Sequence, residues 1–145
     1  MRGPLRATAL LLAIAACGAG AGNDAESAES RLSRARVALG GGFVGGLASG
    51  LRARLDSGLI VQPPEPDSAL RGAAAVAYLE RLARATDVSH SELLPGRISE
   101  EGGFLLEHGT WILESGRQYH SRYTIRWRDS PTGWRVVLWR WTRFR

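Results

Sequence analysis

The last stretch of the chain, YHSRYTIRWRDSPTGWRVVLWRWTRFR from Tyr119 to Arg145, decides how the rest is read. It holds four of the five Trp, two of the three Tyr and seven of the nineteen basic residues. These are set in two alternating runs around Pro131-Thr132-Gly133, the pattern of a β-hairpin. In the first run Tyr119, Ser121, Tyr123, Ile125 and Trp127 share one face, and His120, Arg122, Thr124, Arg126 and Arg128 share the other. The first face is expected to be inward. In the second run Trp134, Val136 and Leu138 lie with Arg140, whereas Val137, Trp139 and Trp141 lie with Arg135 and Arg143. Large apolar groups on both faces imply either a bulge that changes the register or a cover on the outer face, for which a second subunit is the simplest candidate.

Upstream, residues 89–98, 103–115, 118–128 and 134–143 read as four strands joined by short Gly- or Pro-containing turns. Before them the periodicity is helical. From about Ala25 to Leu55, Leu32, Val37, Leu39, Phe43, Val44, Leu47, Leu51 and Leu55 recur as apolar positions, with Arg31, Arg34, Arg36, Arg52 and Arg54 at polar ones. Two helices are expected there, a long one disturbed by the glycines between 40 and 46 and a short one over Leu51–Asp56. Leu59–Gln62, stopped by Pro63-Pro64, reads as an edge or terminating strand. A third helix runs from Ala73 to about Thr86 with Val76, Leu79, Leu82 and Ala83 on its apolar stripe. Helices first and a meander afterwards make an α+β domain with the helices on one sheet face.

With 145 residues the chain has room for one domain and its processing segments. Residues 1–16 pair a short basic start, Arg2 and Arg6, with an apolar run too short to span a bilayer, the form of a signal peptide. They end in Ile14-Ala15-Ala16-Cys17, which resembles a bacterial lipobox with Cys17 as the acylated residue. Cys17 is the only cysteine, so it has no internal disulfide partner. Residues 17–30 are small and polar, a tether whose end merges into a helix, and 31–145 form the domain. The expected address is a lipoprotein anchored on the periplasmic side, in the outer membrane of a diderm because residue 18 is Gly.

The net charge of +5 is carried by Arg, since the chain has no Lys. Residues 117–145 alone hold eight Arg against Asp129. On an exported lipoprotein such a surface faces headgroups, an acidic partner or water, and no nucleic-acid partner is expected.

Five marks in order resemble the nuclear transport factor 2-like superfamily, in its SnoaL-like and ketosteroid-isomerase-like bacterial branch. They are Phe43-Val44-Gly45-Gly46-Leu47-Ala48-Ser49-Gly50, Leu55-Asp56, Leu70-Arg71-Gly72, Gly109-Thr110-Trp111, and Ile125-Arg126-Trp127 followed by Gly133-Trp134-Arg135-Val136. The resemblance implies a cone-like curved antiparallel sheet around a long N-terminal helix plus two shorter helices, an apolar pocket, and homodimers through the outer sheet face.

Isomerases of that kind use a carboxylate base and an oxyanion hole of a Tyr hydroxyl and a protonated Asp. By the motif match these roles fall at Gln62, Phe43 and Tyr123. Gln62 cannot take a proton near neutral pH and Phe43 has no hydroxyl, so isomerase chemistry is not expected. A pocket lined by Phe43, Gln62, Trp111, Tyr123 and Trp127 is, with Tyr123 and Gln62 orienting a small apolar ligand. The alternative is a SnoaL-like cyclase, isomerase or hydrolase with His108 or Asp56 as base; His120, or His90 with Glu92, are further general-base candidates. In place of a small ligand the domain is equally expected to bind a protein partner without catalysis, and a third reading is a structural dimerisation domain with no open pocket. There is no phosphate loop, nucleophile elbow or zinc spacing, so neither cofactor nor metal is expected.

Overall fold

The computed structural model describes residues 26–145 apart from residues 47, 66, 67 and 86. The expected signal peptide and Cys17 lie outside the described residues. Helix α1 spans Ala28–Gly41, so the last three residues read as tether are already helical. Ser27 is its N-cap, its hydroxyl accepting from the Ser30 N–H at 3.1 Å, with Glu29 in the first turn where the helix dipole favours an acid. The buried face is Leu32, Ala35, Arg36, Leu39 and Gly40, a stripe at i, i+3, i+4, i+7 and i+8. Two expectations are corrected here. Arg36 is 9% exposed and faces the core, while Val37, counted as an apolar position, is 73% exposed.

The helix stops in the glycine run. Gly40, in its last turn, lets the helix rest directly on a strand, because a side-chain carbon there would stand 2.9 Å from the Ser91 carbonyl oxygen. The short helix expected over Leu51–Asp56 is instead two single 3₁₀ turns, Ala48–Gly50 and Arg52–Arg54. Six residues are too few to offset helix nucleation, and Leu55 and Asp56 are taken into strand β1, Leu55–Gln62. After β2, Leu70–Arg71, helix α2 spans Gly72–Ala85 and buries Ala75, Leu79 and Ala83.

Strands β3 (His90–Glu101), β4 (Phe104–Ser115), β5 (Arg117–Arg128) and β6 (Arg135–Trp141) are the expected meander. They complete a curved, unclosed six-stranded sheet of order β2-β1-β6-β5-β4-β3. Every neighbouring pair is antiparallel except β1 and β6, which run parallel. β1 is therefore interior and not an edge strand. Pro63 falls just past its last residue, so no ladder hydrogen bond is lost.

The β5 alternation is as read from the sequence: Ser121, Tyr123, Ile125 and Trp127 are buried, and His120, Arg122 and Arg128 are exposed. The ambiguity of β6 is resolved by a bulge. Trp127 pairs with Val136 but Arg126 with Leu138, leaving Val137 as the extra residue. Trp134 and Val136 before it, and Trp139 and Trp141 after it, then all turn inward. The bulge turns these four residues inward and leaves Val137 and Leu138 half-buried.

Inside the sheet the aromatic side chains pack on one another. Phe43 meets Trp111 edge-on with centroids 4.9 Å apart, and Trp139 lies 4.8 Å from Trp111 and 5.7 Å from Phe43. Phe144 joins at 5.2 Å from Trp111. It is brought there by the tail, where Arg145 and His120 exchange backbone hydrogen bonds of 3.0 Å. Truncating any one of these rings is expected to cost about 3–5 kcal/mol.

Candidate functional site

Two polar groupings stand out, one on each face of the sheet. The inner one is built on α1, β4 and β5. Alternation along β4 turns Leu105, Glu107, Gly109, Trp111 and Leu113 inward, and Glu107 is completely buried. Its Oε1 accepts from Arg36 Nε at 3.0 Å and from the Tyr123 hydroxyl at 2.6 Å, and its Oε2 accepts from an Arg36 terminal nitrogen at 2.7 Å. Gly109 makes room for this, because a side-chain carbon there would lie 2.1 Å from the Leu94 carbonyl oxygen and 2.7 Å from the Tyr123 hydroxyl.

Burial, and then the hydrogen bond to the Glu107 carboxylate, hold the Tyr123 phenol far above its ordinary range. Burial opposes the Arg36 charge, but the bonds and charge of Glu107 outweigh it and raise the pKa of Arg36. Chemically the group is closed. The carboxylate already accepts three hydrogen bonds and neutralises the one cation beside it, so it presents no free base to a substrate. Trp111 donates its indole N–H to Ser91 at 3.1 Å. Those of Trp127, Trp134 and Trp139 are buried with no acceptor among the described residues, a cost the packing outweighs.

The second grouping lines a cavity of about 720 Å³. Its place follows from the strand register. His108, Thr124, Arg140 and Gln62 form one row across β4, β5, β6 and β1, and all point away from the helices. Arg122, two residues from Thr124, points the same way. Gly109, Tyr123 and Trp141 form the row between; their side-chain direction is inward, so their main chain makes the floor. Pro63, Pro64, Ser68 and Ala69 form the roof. His108 Nδ1 lies 3.0 Å from Thr124 Oγ1, and the Arg122 N–H donates to Thr142 Oγ1 at 3.0 Å, fixing that end of the cavity.

The residues singled out from the sequence are divided between these places. Gln62 and His108 line the outer cavity. Tyr123 touches it from below, but its hydroxyl is on the other side of the sheet, on Glu107. Phe43, Trp111 and Trp127 are core residues with no exposure to spare and do not reach the cavity. Asp56 lies elsewhere. Its carboxylate accepts from the Gly58 N–H at 2.9 Å and pairs with Arg128, which makes it a turn-holding group. It borders a smaller hollow of about 350 Å³ with Arg52 and Arg135. His90 lies 3.4 Å from Glu92 on an exposed strand end, and His120 bonds Gln118. Among the described residues no three His, Cys, Asp or Glu side chains come together as metal ligands.

Arg36, Glu107, Arg122 and Arg140 were not singled out individually as site residues by sequence reasoning. For the first two a signal existed: both occupy inward positions of their own element's pattern.

No family model and no curated protein matches the chain. Among solved structures it is similar to a nuclear transport factor 2-like protein of unknown function from Shewanella baltica, at 10% identity over 81% of this chain and 93% of that one, with a TM-score of 0.60. A protein of unknown function from Silicibacter pomeroyi is 14% identical over 81% and 95% of the two chains, with a TM-score of 0.58. A candidate dehydratase of the nuclear transport factor 2-like family from Streptomyces avermitilis is 16% identical over 77% and 92%, with a TM-score of 0.63. The fold is therefore nuclear transport factor 2-like, as the residue marks implied. At these identities the likeness is one of fold.

Proposed function

We propose, on the premise of the nuclear transport factor 2-like fold, that this chain is an exported, lipid-anchored binding domain that holds a small molecule in the outer-face cavity and does no isomerase-type chemistry. One observation carries the reading. The interior, where the resemblance implies a pocket, is occupied by Phe43, Trp111 and Trp139 in mutual contact, while a cavity of ligand size opens on the opposite face under the Pro63–Pro64 loop. Glu107, the buried carboxylate of the interior, is held by Arg36 and Tyr123 and has no proton-transfer role in this reading.

Native mass spectrometry of the purified protein tests it. A retained small-molecule adduct, lost when the cavity is filled by Ala69→Trp, is the expected result. No adduct, and no change in melting temperature across a panel of small molecules, would remove the binding reading.

An enzymatic alternative has one observation in its favour, the presence of His108 in the cavity wall with its ring held by Thr124. Under that reading His108→Gln abolishes turnover of a bound compound while leaving its binding intact. Homodimerisation is also carried into the proposal, through the part of the outer face where Leu106, Ile112 and Leu138 are half-buried. A monomer mass by light scattering at working concentration would remove it.

A further inference from the structure

We infer that the outer-face cavity takes its ligand by an oxyanion, a carboxylate or phosphate group clamped between Arg122 and Arg140, with a short apolar body under the Pro63–Pro64 roof. The inference rests on the reading of this cavity as the binding site and specifies what binds there.

The first argument is the state of the two guanidinium groups. Seven other arginines are spent on acids, Arg31 on Asp129, Arg34 on Glu26, Arg36 on Glu107, Arg52 on Glu80, Arg126 on Glu101, Arg128 on Asp56 and Arg143 on Glu65. Arg122 and Arg140 have neither a side-chain hydrogen bond nor an ion pair among the described residues, and none of the described lining residues is Asp or Glu.

The second argument is their placement. Arg140 stands opposite Thr124, and Arg122 is the next residue on that face of β5, so the two charges are diagonal neighbours on adjacent strands. Like charges so placed repel, and the other polar side chains that open into the cavity, Gln62, Ser68, His108, Thr124 and Thr142, include no acid to offset them. A bound anion removes that repulsion and meets two planar donor forks, the geometry suited to carboxylate and phosphate.

Third, the backbone that carries the two arginines is held in advance of binding. Thr142 fixes the Arg122 backbone, and the parallel pairing of Gln62 with Arg140 ties the second arginine to β1. The roof residues Pro63, Pro64 and Ala69 are apolar, which suits an apolar body next to the anionic head. The excess of Arg over acid from residue 117 onward adds a long-range attraction for anions.

The test uses the mature chain carrying Cys17→Ser, so that no acyl chain contributes. Two fluorescent probes share an apolar body: anilinonaphthalene sulfonate carries an oxyanion, and N-phenylnaphthylamine is uncharged. The sulfonate is expected to bind at least tenfold more tightly, to be displaced by inorganic phosphate, and to lose about tenfold in affinity with Arg122→Gln or Arg140→Gln, the scale of one charge-assisted hydrogen bond. Arg84→Gln, an exposed arginine of α2, is expected to change nothing.

Equal binding of the two probes, or sulfonate binding indifferent to both cavity arginines, overturns the oxyanion clamp while leaving the cavity as a binding site. Binding of neither probe overturns both. Sedimentation with phosphatidylglycerol vesicles but not phosphatidylcholine vesicles, lost in Arg122→Gln and Arg140→Gln, assigns the anion to a lipid headgroup. Sulfonate binding without vesicle sedimentation assigns it to a soluble acid.

Discussion

Replacing Glu107 by Gln changes one atom of the interior and exposes what that atom does. In the wild-type chain Oε2 of Glu107 accepts from Arg36 at 2.7 Å, and Oε1 accepts from Arg36 Nε at 3.0 Å and from Tyr123 at 2.6 Å. The amide keeps one carbonyl oxygen, but it sets an NH₂ donor against the Arg36 donor and removes the only charge facing that guanidinium. The Arg36 side chain is 11% exposed and cannot turn to water without leaving the core.

An uncompensated buried charge of this kind costs about 3–5 kcal/mol, a large share of the roughly 5–15 kcal/mol that holds a domain together. With a mid-range urea slope of about 2 kcal/mol per molar, the unfolding midpoint is expected to fall by about 1.5–2.5 M. The assay is equilibrium urea unfolding followed by circular dichroism and Trp fluorescence.

Tyr123→Phe removes one hydrogen bond to a charged acceptor and is expected to cost less, about 1.5–3 kcal/mol. The combined replacement Arg36→Met, Glu107→Leu, Tyr123→Phe is expected to return to within about 1 kcal/mol of wild type, because no charge is left behind. If Glu107→Gln costs under about 1 kcal/mol, or the triple replacement is as damaging as the summed single changes, the account of a self-neutralised interior group is wrong.

Gly109→Ala is expected to destabilise by about 1–3 kcal/mol or more by overpacking, since the new carbon meets the Leu94 carbonyl and the Tyr123 ring; a melting temperature equal to wild type would refute it. Stability is expected to decline as pH rises above about 10. There the unfolded chain releases the Tyr123 proton and the folded chain retains it, so the unfolded state binds fewer protons; below that pH the contribution is fully present. Tyr78, raised by burial, adds to the same slope, so Tyr123→Phe flattens a urea-midpoint profile without abolishing its pH dependence. Blocking lipoprotein signal peptidase with globomycin is expected to accumulate the precursor, and Cys17→Ser to move the chain out of the membrane fraction; unchanged processing and fractionation would remove the lipid anchor.

How much could be read from the residues differs between elements, and for physical reasons. The inner face of β5 was legible because a strand with one buried face writes that face into every second residue, and nothing interrupts Ser121, Tyr123, Ile125 and Trp127; the burial of outward Thr124 to 8% was not. β6 was legible only as a conflict. Its bulge is a property of the pairing with β5, in which Val136 and Leu138 oppose consecutive residues, and no residue type marks Val137 as the extra one. The parallel pairing of β1 with β6 joins residues about 80 positions apart in register, such as Ile60 with Leu138, and local pattern carries no trace of it.

Arg36 and Glu107 were lost differently. Small residues at 35 and 40 complete a stripe that includes Arg36, and the β4 alternation puts Glu107 between Leu105 and Gly109. The periodicity placed both side chains inward, and residue class assigned Arg36 outward. Where the two disagree at positions that face each other across a core, the disagreement marks a buried ion pair.

This distinction also separates the two polar groupings as places for a ligand. A functional group acts on a ligand only with bonding capacity left after folding. Glu107 has used its capacity on Arg36 and Tyr123, and Asp56 has used its own on Gly58 and Arg128. The outer cavity is the reverse: two cations on neighbouring strands, with no acid among the described lining residues. Inside the sheet a carboxylate and a phenol are joined to each other and to an arginine, and the three form part of the core. The charges left uncancelled by folding are on the outer face, where Arg122 and Arg140 stand, and it is there that the proposed binding site is placed.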